Sequence, residues 1–306
     1  MLKKIKLLRD RVEDWKSYPF SVPAISSLDE LALRSRICFF AGENGTGKST
    51  LLEAIAVHYG FGREGGTRNF MNDSTESNHS VDPLVGVLRL SFDKRTGAGY
   101  FLRAESFFNT VTHMDNLDKE PTSSPPISAF YGGRSLHTRS HGETFFKLLE
   151  LKFQRNGLFL LDEPEAALSP QRQLAFLVLI HDVLQKHKDA QFIISTHSPV
   201  LLGYPKAQIV SFDEGPLHEI EYEETAPMQI VQRFVNQRES FLEELFNEPP
   251  SLFKRGAGMK KADSKAGLFI HPTFRGQECP RHTTVSSARS RPSRLSPRGT
   301  LRPSSP

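Results

Sequence analysis

The sequence predicts an α/β fold in which helices flank a mixed, mainly parallel central sheet. Three short apolar runs, at residues 36–41, 157–162 and 191–195, carry this prediction. Each has the length of a strand and is almost free of polar side chains before its end, which is typical of strands buried on both faces of a parallel sheet. Helical patterns follow the first two runs, as expected where strands and helices alternate.

The elements outside these runs are predicted from local signals. Further strands are expected in the N-terminal part, at residues 1–11 and 20–25. Residues 84–92 and 99–105 suggest an antiparallel strand pair joined around Thr96-Gly97. The region of about 60–140 that contains this pair is otherwise rich in polar residues and is expected to hold long loops or an insertion.

Two helices are expected in the second half of the chain. Ser169 is a good N-cap and Pro170 suits the first helical position, so one helix should begin there. Its core face is predicted to comprise Leu174, Leu177, Val178, His181 and Leu184. Residues 227–246 are predicted to form an amphipathic helix, for which packing on the domain is favoured over binding to a partner.

Residues 42–49 read Gly-Glu-Asn-Gly-Thr-Gly-Lys-Ser, a complete G-x-x-x-x-G-K-S phosphate-binding loop. It lies between a predicted strand and a predicted helix, which is the context that this motif requires. Glycines let successive N–H groups turn inward around an anion, and Lys48 would reach the terminal phosphates. The residues expected to contact the phosphates of a nucleoside triphosphate are Gly42, Glu43, Asn44, Gly45, Thr46, Gly47, Lys48, Ser49 and Thr50.

Two later strand ends add candidate catalytic residues. The run at 157–162 ends in Asp162 and is followed by Glu163, and the run at 191–195 is followed by His197. Carboxyl ends of parallel strands meet at one sheet edge, where ligands bind. Ser49 is therefore predicted to ligate Mg²⁺ and Asp162 to hold it through its water shell. Glu163 is predicted to orient or deprotonate the attacking water, and His197 to contact the γ-phosphate or that water.

The charge of the chain is uneven. Residues 251–306 hold 12 Lys/Arg against Asp263 and Glu278, a net of +10, which leaves residues 1–250 at −6 of a total of +4. The basic stretch is rich in Ser, Pro and Arg, so a disordered tail is expected at 251–306. It is interpreted either as a nonspecific nucleic-acid arm or as a solvated extension without a role.

Two further features of the composition indicate a cytoplasmic protein. No apolar stretch reaches the length of a membrane span, so no integral membrane segment is expected. The chain has only two cysteines, Cys38 and Cys279, and they lie far apart in different surroundings, as expected of a protein from a reducing compartment.

The motif order over residues 1–250 resembles that of ABC-type ATPase heads: the phosphate loop, then Leu-Leu-Asp-Glu-Pro, Ala-Leu-Ser-Pro and Ser-Thr-His-Ser-Pro. It looks most like the stand-alone bacterial branch of the AAA/ABC-like P-loop ATPases. The resemblance implies a Walker A at 42–49, a Walker B at 158–162, a catalytic Glu163, a D-loop at 167–170 and a switch histidine at His197. In that class each ATP site is completed by a signature segment of a second subunit, which implies an ATP-dependent homodimer.

The chain departs from this class at the signature. By its spacing ahead of the Walker B, Leu-Ser-Gly-Gly-Gln falls on Arg-Ser-His-Gly-Glu, where Ser140 and Gly142 match and Glu143 is a near substitute. Ser140 and Glu143 also fit a capping box. The two interpretations are compatible, because a capped helix N-terminus is a good donor array for phosphate.

The sequence therefore predicts Mg²⁺-dependent hydrolysis of ATP to ADP and phosphate by a domain at 1–250, with a tail at 251–306. ATP is favoured over GTP because no Asn-Lys-x-Asp motif is present. Two alternatives are a nucleotide-binding subunit of a transporter and a nucleic-acid-binding module that ATP regulates. The degenerate signature and the lack of Gln between Leu51 and Phe153 disfavour the first. The acidic 1–250 region disfavours the second.

Overall fold

A computed structural model describes residues 1–63, 65–67, 79–104, 141–213 and 215–247. The predictions for Ser140, for the rest of 105–140 and for the 251–306 tail lie outside the described residues. Within the described ranges, none of the helices combines the length and the apolar character needed to cross a bilayer.

The strands and α-helices of the described chain have the following bounds. The strands are β1 (Leu2–Leu7), β2 (Glu30–Ala32), β3 (Ile37–Ala41), β4 (Leu88–Phe92), β5 (Gly99–Arg103), β6 (Leu158–Asp162), β7 (Gln191–Ser195), β8 (Gln208–Ser211) and β9 (His218–Ile220). The helices are α1 (Pro23–Ser26), α2 (Lys48–Tyr59), α3 (Asp82–Val87), α4 (His141–Lys152), α5 (Pro170–Lys186), α6 (Pro199–Leu202), α7 (Ala226–Asn236) and α8 (Arg238–Asn247).

The larger sheet has the strand order β5-β6-β7-β3-β8-β9 in the described chain. Its strands run parallel except β9, which is antiparallel to β8. Every residue of β3, β6 and β7 is buried, which confirms the prediction of three strands covered on both faces. Because the three are neighbours and parallel, their carboxyl ends lie side by side at one edge of the sheet.

The chain also forms a smaller antiparallel sheet, β2-β1-β4, and two of the strand predictions were wrong. The predicted strand at 20–25 is a turn followed by α1, which has Pro23 in its first turn. The predicted pair 84–92 with 99–105 does not form, because β4 pairs with β1 and β5 pairs in parallel with β6. Residues 82–87 are helical instead, with a proline in the first turn of α3.

Two buried glutamines connect the sheets. The Gln191 side chain is 1% exposed and accepts a hydrogen bond from the Leu2 N–H at 2.8 Å while donating to the Leu2 carbonyl at 2.9 Å. Gln208 does the same at the end of β2, since it donates to Ala32 O and accepts from Arg34 N, both at 2.9 Å. Each amide thus satisfies backbone groups of the neighbouring chain, which are buried at Leu2 and partly buried at Ala32 and Arg34.

The helical predictions were right about position and partly wrong about packing. Helix α5 begins after Ser169 with Pro170 in its first turn. Leu184 of the predicted core face is buried, but the other buried residues are Phe176, Ile180 and Val183, which were not predicted. Leu174 and Val178 of the predicted face are 58% and 62% exposed. The single helix predicted at 227–246 is two helices, α7 and α8, and no residue of α7 is buried.

Candidate functional site

The loop at residues 42–49 connects β3 to α2 at the carboxyl edge of the larger sheet, in the strand–loop–helix context that was predicted. Gly42, Gly45 and Gly47 have positive φ values of 148°, 82° and 102°. A Cβ at Gly47 would also lie 2.8 Å from Cγ1 of Val22, so this position combines backbone strain with a close contact. The Glu43 N–H donates to Oδ1 of Asp213 at 2.8 Å, which fixes the start of the loop to the segment that follows β8.

Lys48 folds back into the loop. Its Nζ donates hydrogen bonds of 2.7 Å to the carbonyls of Gly42 and Glu43, and the residue is 3% exposed. Burial lowers the pKa of Lys48, and the nearby carboxylates of Glu163, Asp213, Asp162 and Glu165 partly offset this effect. The amine thus lies in a negative surrounding at the mouth of the loop.

Ser49 and Asp162, the predicted metal ligands, are in direct contact. The Ser49 Oγ donates to Oδ1 of Asp162 at 2.8 Å. Burial raises the pKa of Asp162, while Arg103 and the hydroxyl of Ser49 oppose that rise. A carboxylate and a hydroxyl are hard oxygen donors of the kind that Mg²⁺ takes, so this pair fits the predicted ion.

Arg103 is a site neighbour that the sequence analysis missed. It ends β5, and its guanidinium donates to Glu53 Oε2 at 2.9 Å and lies 3.6 Å from Asp162 Oδ2. Its position became visible only through the pairing of β5 with β6, which places Arg103 opposite Asp162. The cation favours the charged form of a carboxylate that burial disfavours.

Glu163 and His197 occupy the ends of β6 and β7. Glu163 adopts a left-handed backbone conformation, with φ 48° and ψ 50°, and its N–H donates to the Ser195 carbonyl at 2.9 Å. Its Oε1 lies 3.9 Å from Nδ1 of His197. The His197 side chain is 46% exposed and that of Glu163 is 27% exposed, so both are open to a ligand at this edge.

Glu165, in the 3₁₀ turn Pro164–Ala167, was also missed. Its side chain is 8% exposed, and Oε1 accepts hydrogen bonds from Thr196 Oγ1 at 2.6 Å and from the His197 N–H at 2.9 Å. In the sequence, the only signal for this residue was the second glutamate of Asp-Glu-Pro-Glu. That signal was not enough, because a lone acidic residue in a turn gives no reason to expect burial.

The remaining predicted site residues lie in or next to the loop, at the start of α4 or outside the described residues. Thr46 Oγ1 donates to the Glu43 carbonyl at 2.8 Å, and Thr50 Oγ1 lies 3.0 Å from the hydroxyl of Tyr18. Asn44 is exposed within the loop. Gly142 and Glu143 belong to the first turn of α4, where the backbone alone is described. Ser140 and the Q-loop candidates Glu105 and Asn109 lie outside the described residues.

A family model matches residues 138–203, with the description "AAA domain, putative AbiEii toxin, Type IV TA system". This segment includes Asp162, Glu163 and His197 but not the phosphate-binding loop at 42–49, so the similarity covers the acidic strand end and the histidine of the predicted site. Among curated proteins, none is significantly similar to the chain.

Several solved structures are similar to the chain at low identity. One is the SMC head domain from Thermotoga maritima, with 17% identity, a TM-score of 0.38, and 72% of this chain and 98% of that one covered. Another is cbiO1 from Clostridium perfringens, part of the ABC transporter complex cbiONQ. Its identity is 16% and its TM-score 0.37, and 71% of this chain and 92% of that one are covered. A third is an ATP-binding cassette of an ABC transporter. Its identity is 14% and its TM-score 0.39, and 79% of this chain and 97% of that one are covered.

Proposed function

We propose that this chain is a stand-alone cytoplasmic ATPase that hydrolyses Mg·ATP to ADP and phosphate. One observation carries the proposal. A phosphate-binding loop, the contact of Ser49 with Asp162 and the close approach of Glu163 to His197 all lie at one edge of the sheet. This combination provides for phosphate binding, for a divalent cation and for water activation within a single site.

The loop and Lys48 bind the phosphates in this account. The positive N-terminal end of α2 and the N–H groups of the loop face an anion, and Lys48 exchanges its two carbonyl contacts for phosphate oxygens. The charge that develops on the phosphates during transfer is then stabilised by donors that are already in place. Thr50, which directly follows the loop, would also contact the phosphates.

Mg²⁺, held by Ser49 and Asp162, would neutralise charge on the phosphate oxygens. The two side chains are held together by their mutual hydrogen bond, which keeps the serine oxygen 2.8 Å from one carboxylate oxygen. Arg103 lies 3.6 Å from the other oxygen of the carboxylate and helps to hold it. These residues thus maintain the oxygen donors in position before any ligand arrives.

Glu163 is the proposed base or orienting group for the attacking water, and His197 the proposed contact to the γ-phosphate. Their separation of 3.9 Å leaves both side chains able to face the same small volume. In this account the donor array of Ser140 and Gly142 comes from a second copy of the chain, with Glu143 as part of its helix start. ATP would therefore promote a homodimer.

The catalytic unit is proposed to be residues 1–250, with 251–306 dispensable for turnover. Phosphate release by the full chain and by a chain ending at residue 250 tests this boundary. Equal specific activity supports it, whereas loss of activity on truncation contradicts it. A nucleic-acid role of the tail would appear as DNA binding that salt weakens steeply and that truncation abolishes.

Specific activity measured against protein concentration tests the whole proposal. With Mg·ATP we expect activity that rises with concentration, and little release with EDTA or with GTP. Activity that is constant over the concentration range contradicts the composite dimer site but not hydrolysis. Absence of release from a chain that binds ATP contradicts the proposed ATPase activity.

A further inference from the structure

Glu165 is a buried carboxylate for which the proposed reaction has no direct use. It lies two residues after Glu163, and its side chain is 8% exposed. Its Oε2 is buried and has no hydrogen-bond partner in the described structure. Burying a carboxylate is expensive unless both oxygens are well paired, so stability alone would favour a neutral side chain here.

What Glu165 does make is a link between two strand ends. Oε1 accepts from the Thr196 hydroxyl at 2.6 Å and from the His197 N–H at 2.9 Å. Both donors follow β7, whereas Glu165 follows β6. One oxygen atom therefore connects the turn that begins at Glu163 to the segment that presents the histidine.

The link extends beyond the first contact. Thr196 Oγ1 also accepts from the Ser198 N–H at 3.0 Å, and the Ser198 side chain caps α6 by accepting from the Leu201 N–H at 3.3 Å. The segment that contains His197 is thus attached on one side to Glu165 and on the other to the start of α6. These contacts fix the backbone that carries the imidazole.

Nδ1 of His197 lies 3.9 Å from Oε1 of Glu163 and 3.9 Å from Oε1 of Glu165. The His197 ring is therefore between the proposed water-activating carboxylate and the buried one. A small displacement of the His197 backbone would change its distance to Glu163, and misplacement of a reacting group by about 1 Å can cost roughly a hundredfold in rate.

We propose that Glu165 is a positioning residue for ATP hydrolysis, which holds the backbone of His197 so that the imidazole and Glu163 face the same γ-phosphate. The proposal rests on the ATPase function proposed above. Glu165 touches neither ATP nor water in this account and acts only through His197. Its hydrogen-bond acceptor, rather than its charge, provides the function.

Four variants separate the effect of the hydrogen-bond acceptor of Glu165 from the effects of its charge and of the Thr196 hydroxyl. Glu165→Ala removes the acceptor, whereas Glu165→Gln retains an oxygen that can take both hydrogen bonds. Thr196→Val removes only the hydroxyl and leaves the bond to the His197 N–H. Glu223→Ala is the matched control, because Glu223 is an exposed glutamate in another 3₁₀ turn, Tyr222–Glu224.

Amide hydrogen exchange of the full chain without nucleotide tests the structural link. In Glu165→Ala we expect the His197 amide to exchange at least about tenfold faster, while protection of β3 and β6 is retained. Glu165→Gln and Glu223→Ala should exchange at this amide like the wild type. Unchanged exchange in Glu165→Ala would overturn the link.

A double-mutant cycle tests its role in turnover. Glu165→Ala should lower kcat roughly tenfold to a hundredfold, with the Kd for ATP unchanged within about twofold, and Thr196→Val should lower kcat less. Glu165→Gln should retain most of the turnover. In a His197→Ala background, Glu165→Ala should have no further effect, because the residue acts only through the histidine.

The outcomes distinguish this inference from the proposed function. Equal loss of kcat from Glu165→Ala in both backgrounds, or loss of ATP binding in step with turnover, means a general structural role and contradicts positioning. Normal turnover in Glu165→Ala contradicts it as well. No phosphate release from the wild type contradicts the ATPase function itself, and the role in hydrolysis is then wrong, whatever the exchange measurement shows.

Discussion

The hydroxyl of Ser49 donates a 2.8 Å hydrogen bond to Oδ1 of Asp162. The two residues are 113 positions apart in the chain, and the contact joins the first turn of α2 to the end of β6. It brings the phosphate-binding loop and the acidic strand end into one site. The predictions below follow from this site and from the contacts that support it.

Asp162→Asn should stabilise the chain in the absence of nucleotide. Burial raises the pKa of Asp162 above that in the unfolded chain, so ionisation of this carboxyl at neutral pH costs folding free energy. The advantage of the variant should be absent at acidic pH, where the carboxyl is protonated in both states. It should grow as the pH rises from the unfolded to the folded pKa and then stay constant.

Thermal unfolding from acidic to neutral pH measures this difference, with Asp182→Asn as the control on the exposed side of α5. Arg103 retains Glu53 as a partner in the Asp162→Asn variant. A variant less stable than the wild type at neutral pH would mean that the pairing with Arg103 outweighs burial.

Lys48→Ala should weaken ATP binding itself. The amine is the charged donor in the loop, and loss of one charge-assisted hydrogen bond costs about 1.5–3 kcal/mol, or roughly ten- to a hundredfold in Kd. Equilibrium binding of a fluorescent ATP analogue measures the effect. Lys186→Ala, at the exposed end of α5, should bind like the wild type. Unchanged affinity in Lys48→Ala would remove Lys48 from the proposed site.

Gly47→Ala and Gly86→Ala should have opposite effects. At Gly47 a Cβ meets Val22 at 2.8 Å and the φ of 102° is strained for alanine, so we expect a lower Tm and lost ATP binding. At Gly86, inside α3, nothing lies within 4 Å of a Cβ. Alanine there should add about 0.5–1 kcal/mol of stability. Denaturant unfolding of both variants measures the difference, and destabilisation by Gly86→Ala would contradict the open space in α3.

Gln191→Leu should destabilise the fold by about 2–4 kcal/mol, because it removes the partners of two buried backbone groups of Leu2. Urea unfolding gives this value directly. Gln171→Leu, on an exposed position of α5, should change stability by less than about 0.5 kcal/mol. A loss equally small in Gln191→Leu would show that the two sheets are not connected through this amide.

Much of the larger sheet was predictable because its chemistry is local. The runs of β3, β6 and β7 are apolar almost throughout, a pattern that suits burial on both faces, and the loop motif carries its own strand and helix. The pairing of β4 with β1 was not predictable, because apolar alternation does not identify a strand's partner. Nor was the core face of α5, where apolar residues occur on more than one side.

The candidate site was also predictable in part. Lys48, Ser49, Asp162 and Glu163 belong to contiguous motifs, so their residue types and spacing revealed them. Arg103 and Glu165 act across strands, through contacts with Asp162 and His197 that only the sheet register creates. Nothing in the sequence distinguishes these two charged residues from others, and their roles can be inferred only once their burial and contacts are known.

Phosphate release from Mg·ATP by the wild type and by Glu163→Gln tests the central claim most directly. The account predicts measurable release by the wild type and a kcat lowered roughly a hundredfold or more in the variant, with the Kd for ATP unchanged within about twofold. Gln preserves the size of the side chain, so the comparison isolates the carboxylate. Release at the wild-type rate by Glu163→Gln would contradict the assignment of Glu163 as the group that activates water.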